Sequence, residues 1–593
     1  MTLGTRLKAA LAAGVVLLAG CGGGGSSQPA PGGGGGGGGD AATPPAMQRA
    51  TAFGPVVGTD DAATSGTLQW KGVPYAKAPV GALRWMPPVD PDPWTEARST
   101  QAFASACAQS GRLYGPGQNN RYDATIGTAL GTTVGSEDCL YLNIWAPAGA
   151  AASPRPVIVW VHGGSNITGY TADPVYDGAN LARTADVVVV SVNYRLGVLG
   201  FLNALQLKTG DPLVDSGNFA LLDLIKALKF VQGNIAAFGG NPANVTLMGQ
   251  SAGAVNVLAL QASPVVRAAS PQLFHRLVEI SGGISTPNTV PPGVIATIYP
   301  AAIWAQQGAT LLQYALVNDG TVPDLAAAAT YVAGRSPAEM AAYLRSKSPD
   351  ALLSIVRTQL PALGLQNSNP IPDGNVLPLD PIMEIRAGRY LKVPVLAGIT
   401  RDETKLFPSL FPLMGLPSGR LLTDTQVFHM AFGYNPNAAP ATTLAEWIPA
   451  QYLPVTAAGT GFNFWADILN QFWFIPGRDD LLNSLSLQQS QVWHYRFDWD
   501  EQPAPFNDIF GAAHAFDLPF LFGNFGPSLY ANFTNSEANR AGREQLAEAM
   551  MKSLGAFARS GDPNNAALGV RWQQWPRKVV FDASLSAKQI TAQ

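Results

Sequence analysis

The chain has 593 residues, 47% of them hydrophobic and only 13% charged, about half the charged share of an average soluble protein. That supplies ample apolar material for one large core beneath a weakly charged surface. A net charge of −3 and no run of Lys or Arg exclude the electrostatic footprint of a nucleic-acid-binding protein.

Residues 1–20 read as a signal peptide: Arg6 and Lys8 precede an apolar stretch, 9–18, too short to span a bilayer. The stretch ends Leu18-Ala19-Gly20-Cys21, which resembles a bacterial lipoprotein signal, cut before Cys21 and acylated on it. This predicts an exported protein, lipid-anchored at the cell envelope through Cys21. Residues 21–49 form the acylated cysteine and a tether, with eight consecutive glycines at 32–39, that cannot build a core. Residues 50–593 read as one globular domain without internal repeats.

In chain order, 66–75 reads as a short strand running into a Pro-containing turn. Cys107 and Cys139 are an even pair in a compartment that permits oxidation, and predict a disulfide. A bridge closing that loop stabilises by roughly 3–4 kcal/mol on the chain-entropy account. The enclosed segment is polar and Gly-rich, contains Tyr114 and Tyr122 but no tryptophan, and reads as a surface loop. Residues 137–145 alternate as a strand. The run 156–161 is continuously apolar, as strands buried on both faces are, and 187–192, apolar but for Ser191, is another such run. Residues 221–238 have helical spacing, 245–250 is again β-favouring, and 393–399 and 491–499 read as later strands. Residues 296–360 are Ala-rich and helical, with a capping-type start at Ser336 and Glu339. Residues 511–514 form a loop and 545–559 a closing helix. Alternating strands and helices predict an α/β fold on a mostly parallel sheet.

Gly249-Gln250-Ser251-Ala252-Gly253 lies between a strand and a helix. A serine at the apex of so sharp a turn brings its neighbours against strand and helix, where side chains at 249 and 253 would collide. This is the pattern of a nucleophile elbow. Other strings follow the same order: Glu137-Asp138-Cys139-Leu140-Tyr141-Leu142-Asn143, then Asn234-Ile235-Ala236-Ala237-Phe238-Gly239-Gly240-Asn241-Pro242. Last comes His514-Ala515-Phe516-Asp517-Leu518-Pro519-Phe520. Together, over about 52–582, they make the chain resemble the type-B carboxylesterase family of α/β-hydrolases, which includes the cholinesterases. The resemblance implies an α/β-hydrolase fold with 296–360 as a helical cap region.

It also implies a serine carboxylic ester hydrolase acting through an acyl-enzyme on small to medium esters. A serine hydroxyl needs a base, and the base an orienting acid. Of five histidines, His514 comes late in the chain, as the order serine, acid, histidine requires, and matches the family's catalytic histidine. His162 reads as shaping its loop, His275 and His494 as structural, and His429 has no motif around it. For the acid, Gly398-Ile399-Thr400-Arg401-Asp402-Glu403 places the family's glutamate at Glu403, with Thr404 where a glycine is usual. Asp402 is the rival. The oxyanion donors implied are the backbone amides of Gly164, Ser165 and Ala252.

Here the chain departs from the family's Gly-Gly-Gly-Phe pattern: Ser165 replaces a glycine and Asn166 the aromatic, which predicts a more polar pocket wall. Gln250 stands where cholinesterases carry glutamate, and the loop tryptophan that would hold a quaternary ammonium is missing. Both argue against choline esters. No metal or cofactor is called for; the partner is a small-molecule ester. A lipase, thioesterase or amidase specificity, or a hydrolase-like binding module, are the other readings the sequence leaves open.

Overall fold

The computed structural model describes residues 47–365 and 368–593. The signal segment, Cys21 and the glycine run lie outside these residues.

Valine-rich runs make the centre of the molecule. In Arg155–Val161, alternate side chains serve different cores. Val157, Val159 and Val161 enter one hydrophobic cluster, while Ile158 and Trp160 enter the other. Period-two alternation with apolar residues at every position lets one strand cover helices on both sides.

Among the described residues eleven strands share one sheet: β1 (Thr59–Asp61), β2 (Thr67–Pro74), β3 (Tyr141–Pro147), β4 (Arg155–Val161), β5 (Val188–Val192) and β6 (Gly240–Gln250), followed by β7 (Arg276–Ile280), β8 (Val395–Thr400), β9 (Val492–Phe497), β10 (Val579–Ala583) and β11 (Lys588–Ala592). Their order is β11-β10-β9-β8-β7-β6-β4-β5-β3-β2-β1. From β5 to β10 every pairing is parallel, and the edges are antiparallel. Helices α1 (Ala179–Ala185), α2 (Phe219–Asn234), α3 (Ala252–Ala262) and α4 (Arg540–Ser560) cover the sheet. Leu221, Leu224 and Leu228 of α2 and Leu258 of α3 enter the first cluster. Leu181 of α1 and Leu546, Met550 and Leu554 of α4 enter the second.

The predicted α/β-hydrolase architecture is present. The region 296–360 carries four helices, Ala301–Asn318, Leu325–Ala333, Pro337–Ser346 and Pro349–Thr358, around a satellite core. Ser336 and Glu339 form the predicted capping box.

Several boundaries differ from the sequence reading. A strand, Gln48–Ala50, pairs with Pro55–Val57, so paired chain begins two residues inside the span assigned to the tether. The strand expected from 137 begins at Tyr141, because Glu137 turns to an ion pair with Arg84 and Cys139 is drawn into the bridge to Cys107. The disulfide-closed segment is no simple surface loop: Leu113, Ile126 and Ala129 are buried and Gln109–Ser110 pairs with Thr133–Val134. Strand β7 and the β10–β11 hairpin escaped the sequence reading, as did the helices between Asp424–Gly433 and Phe474–Ser486. Residues 276–280 mix Arg and Glu with Leu, Val and Ile, and only the sheet around Glu279 makes that a central strand.

No helix among the described residues is long and apolar enough to cross a membrane. What the sheet positions for chemistry lies just past the carboxyl ends of β4, β6, β8 and β9, which converge on one edge.

Candidate active site

Ser251 sits between β6 and α3 with φ 55° and ψ −124°. A left-handed φ at a non-glycine residue is strained, and its surroundings must hold it. Its N–H donates to Ile280 O at 2.8 Å and its carbonyl accepts from Val255 N at 3.0 Å. The flanking glycines are explained by contact. A Cβ on Gly249 would lie 2.4 Å from Gly253 O, and one on Gly253 would lie 2.3 Å from Val161 O. Strand β4 and helix α3 therefore meet backbone to backbone beneath the serine.

His514 follows β9, in the loop after Gly511. Its Nδ1 lies 2.5 Å from Glu403 Oε2. Glu403 Oε1 accepts from Thr400 N at 2.7 Å. Glu403 is fully buried and His514 is 4% exposed, so the pair is shielded from water. The rival acid goes elsewhere. Asp402 accepts from the Arg401 guanidinium and from Ala512 N, and so holds the loop that carries His514. Glu403, and not Asp402, faces the imidazole.

The other ring nitrogen is occupied as well. His514 Nε2 lies 2.9 Å from Nε2 of Gln250, the residue before Ser251. With Nδ1 donating to Glu403, Nε2 presents a lone pair, and the Gln250 amide N–H fills it. Among the described residues Ser251 Oγ makes no hydrogen bond to His514. The structure thus brings Glu403 and His514 together, and brings His514 to the residue adjoining Ser251, with the last link open.

Beside the elbow lies the loop after β4. A Cβ on Gly163 would lie 2.9 Å from Ser251 Cβ. The N–H groups of Gly164, Ser165 and Ala252 donate to no acceptor of the described chain. Free amides around a strained nucleophile can take up negative charge that develops on a carbonyl oxygen. Asn166 differs from its sequence reading: it is fully buried, hydrogen-bonded to Asn256 and Tyr194, and forms no polar pocket wall. The rings of Phe407 and Phe474 each lie 5.1 Å from His514, and Trp473 packs on Phe407, so the imidazole has an apolar aromatic flank.

The remaining histidines have structural surroundings. His162 is buried, bonded to Gly163 O and stacked on Tyr194, and burial pushes it down to about 4. His275 Nδ1 accepts from Val245 N, and His494 Nδ1 pairs with Ala397 O. His429 lies away from these groups, beside Phe428. Among the described residues no group of three or more His, Cys, Asp or Glu is arranged to hold a metal.

Two further buried carboxyls, which sequence reasoning missed, lie behind Glu403. Glu279 of β7 is 1% exposed, bonded only from Gly282 N at 3.2 Å, and burial pushes it up to about 8. Asp517 accepts from the Tyr495 hydroxyl at 2.8 Å, and burial pushes it up to about 7. Nothing local in Glu-Ile-Ser-Gly marks 279 as buried; Asp517 sat inside a quoted motif without a role. Holding protons on these two avoids three like charges in one dry pocket. In the unfolded chain Glu279 ionises near 4.5, whereas in the fold it keeps its proton up to about 8. Its contribution to stability is therefore full at low pH and is lost as pH rises through that interval. Glu279→Gln has no proton to lose. Its melting temperature relative to wild type is expected to rise from about pH 5 to about pH 9; a constant difference across that range in thermal unfolding would refute the assignment.

Comparison with known proteins agrees with this geometry. The model of the carboxylesterase family matches residues 45–589. The chain is 31% identical to the para-nitrobenzyl esterase of Bacillus subtilis (strain 168), over 89% of this chain and 91% of that protein. It is also 31% identical to the fumonisin B1 esterase of Sphingopyxis macrogoltabida, over 90% of this chain and 85% of the other. Among solved structures, a PNB esterase superposes with a TM-score of 0.66 at 27% identity, covering 92% of this chain and 97% of its own. A carboxylesterase of Geobacillus stearothermophilus does so at 0.64 and 29%, covering 92% of this chain and 98% of its own. With a strained elbow serine on an α/β-hydrolase sheet and a family match across nearly its whole length, the chain belongs to the carboxylesterase family and is a carboxylic ester hydrolase.

Proposed function

We propose that Ser251, His514 and Glu403 form the catalytic triad and that the enzyme works through an acyl-enzyme. The observation that carries this is the His514–Glu403 pair, buried at 2.5 Å, with Nε2 turned to the residue beside the strained serine. On this reading an ester entering the site draws the Ser251 hydroxyl onto the Nε2 lone pair in place of Gln250. Oγ attacks the carbonyl carbon while its proton passes to Nε2. The N–H groups of Gly164, Ser165 and Ala252 take the oxyanion. Glu403 holds the tautomer through Nδ1 and stabilises the imidazolium. Collapse breaks the bond to the alcohol oxygen, which leaves with the Nε2 proton. Water then repeats the attack, giving its proton to the same nitrogen, and releases the acid.

The aromatic flank of Phe407, Trp473 and Phe474 favours small to medium esters with an apolar or aryl group beside the imidazole. Relatives named as a para-nitrobenzyl esterase and a fumonisin B1 esterase are consistent with an ester substrate. A panel varying acyl and alcohol size separately tells which side of the ester meets that flank.

Ser251→Ala is expected to abolish hydrolysis of a p-nitrophenyl ester and labelling by a fluorophosphonate, with the fold retained by circular dichroism. Undiminished turnover would remove Ser251 from the reaction. Gln250→Ala is expected to raise the fluorophosphonate labelling rate about fivefold, the worth of one ordinary hydrogen bond. A slower rate would mean that the amide orients the imidazole and does not compete for it.

At the amino terminus, the same proposal makes Cys21 the acylated first residue of the mature enzyme, tethered to the cell envelope. Its support is the sequence of the signal segment alone. Mass spectrometry of the mature amino terminus is expected to find a lipidated Cys21; a mature chain starting elsewhere would discard the anchor.

A further inference from the structure

The loop after β4 is held in an uncommon shape. Ser165 and Asn166 have φ of 56° and 55°, two consecutive non-glycine residues in the left-handed region. Such a pair costs free energy and persists only where the surroundings over-determine it. Successive residues in unusual dihedrals also line up their N–H groups to face one side, the arrangement that makes anion-binding nests. What imposes the shape is therefore a question about the oxyanion site.

Three sets of contacts hold the loop. At its far end Gln109, from within the disulfide-closed segment, accepts from Gly169 N and Thr168 Oγ1, each at 2.8 Å. In the middle the Ser165 carbonyl accepts from Ser368 Oγ at 2.5 Å. The third set is the most extensive. Asn166 and Asn256 exchange side-chain hydrogen bonds, Asn256 Nδ2 donating to Asn166 Oδ1 at 2.8 Å and Asn166 Nδ2 to Asn256 Oδ1 at 3.2 Å. The Tyr194 hydroxyl donates its one proton to His162 O at 2.7 Å and lies 3.2 Å from Asn166 Oδ1. Gly197 N donates to the Asn166 carbonyl at 2.6 Å. Both asparagines are 0% exposed. A buried amide pair bonded in both directions is directional in a way that apolar packing is not.

Asn256 lies on α3, the helix that begins immediately after Ser251. The amide pair therefore refers the loop carrying Gly164 and Ser165 to the same rigid helix that carries the serine. We propose that Asn166 and Asn256 are positioning residues that set the distance between the Ser251 hydroxyl and the oxyanion amides of Gly164 and Ser165. This rests on the triad and oxyanion reading above and adds the device that aligns its two halves. Neither asparagine touches substrate; both act through the backbone of residues 164 and 165.

The test uses the full chain with p-nitrophenyl butyrate as substrate and phenylboronic acid as transition-state analogue. The variants are Asn256→Ala, which suits a helix interior, Asn166→Gly, which keeps the left-handed φ, and the double variant. A misplaced oxyanion site is expected to lower kcat by about 10²-fold in each single variant. KM should change by less than about threefold, and phenylboronic acid affinity should fall in step with kcat, because the loss belongs to the transition state. Residues acting as one unit should be non-additive, leaving the double variant no slower than the singles. Should Asn256→Ala lose its near-ultraviolet dichroism, Asn256→Asp makes the same comparison, keeping the volume and the Oδ acceptor but not the Nδ2 donor. Variants that melt earlier yet keep wild-type kcat and boronate affinity would overturn the inference. So would losses that multiply in the double variant, or a loss confined to KM. Failure of the underlying reading looks different: the wild-type chain itself would show neither turnover nor fluorophosphonate labelling, and both proposals would go.

Discussion

Everything at the catalytic edge depends on one steric constraint, the contact of backbone with backbone beneath Ser251. Strand β4 comes so close to helix α3 that a methyl group at 253 would overlap the Val161 carbonyl, and one at 249 the helix backbone. The serine is thereby forced to φ 55° at the tip of the turn. The same contact brings Gly163, the start of the oxyanion loop, against the serine's own Cβ. The strained serine and the free amides beside it are held close because no side chains separate their backbones.

Around this contact the protein spends polar groups in an apolar interior. Glu403, His514, Gln250, Asn166 and Asn256 are all buried, and each has hydrogen-bond partners within the chain. Such groups are tolerated when satisfied and costly when not. The carboxyls behind Glu403 follow the same logic, Glu279 and Asp517 being pushed up by burial to about 8 and about 7. The site thereby keeps a carboxylate on the imidazole without crowding it with others. Gln250 adds a different element: its side-chain amide lies 2.9 Å from Nε2 of His514, beside Ser251.

Much of this was legible in the chain. The valine runs of β4 and β5 declare themselves because a strand buried on both faces is apolar at most of its positions. The elbow is readable because glycines at 249 and 253 answer a steric need that depends on local backbone alone. An even cysteine pair likewise survives the passage from sequence to structure, as the bridge between Cys107 and Cys139. Less legible was β7, whose residues Arg276, Leu277, Val278, Glu279 and Ile280 carry charges that only burial between β6 and β8 makes sense of.

What the sequence determined by itself is thus whatever depends on short-range geometry: which runs are strands and where the turn must have glycine. The sequence reading preferred Glu403 with Asp402 as rival, and the fold adds their surroundings: Glu403 faces His514, while Asp402 turns to Arg401 and Ala512. The role of Asn166 was decided there too. Read along the chain it replaces an aromatic and suggests a polar wall; in space it turns inward to Asn256, ninety residues on. Pairings across such separations are set by the packing of sheet and helix, and no local pattern carries them.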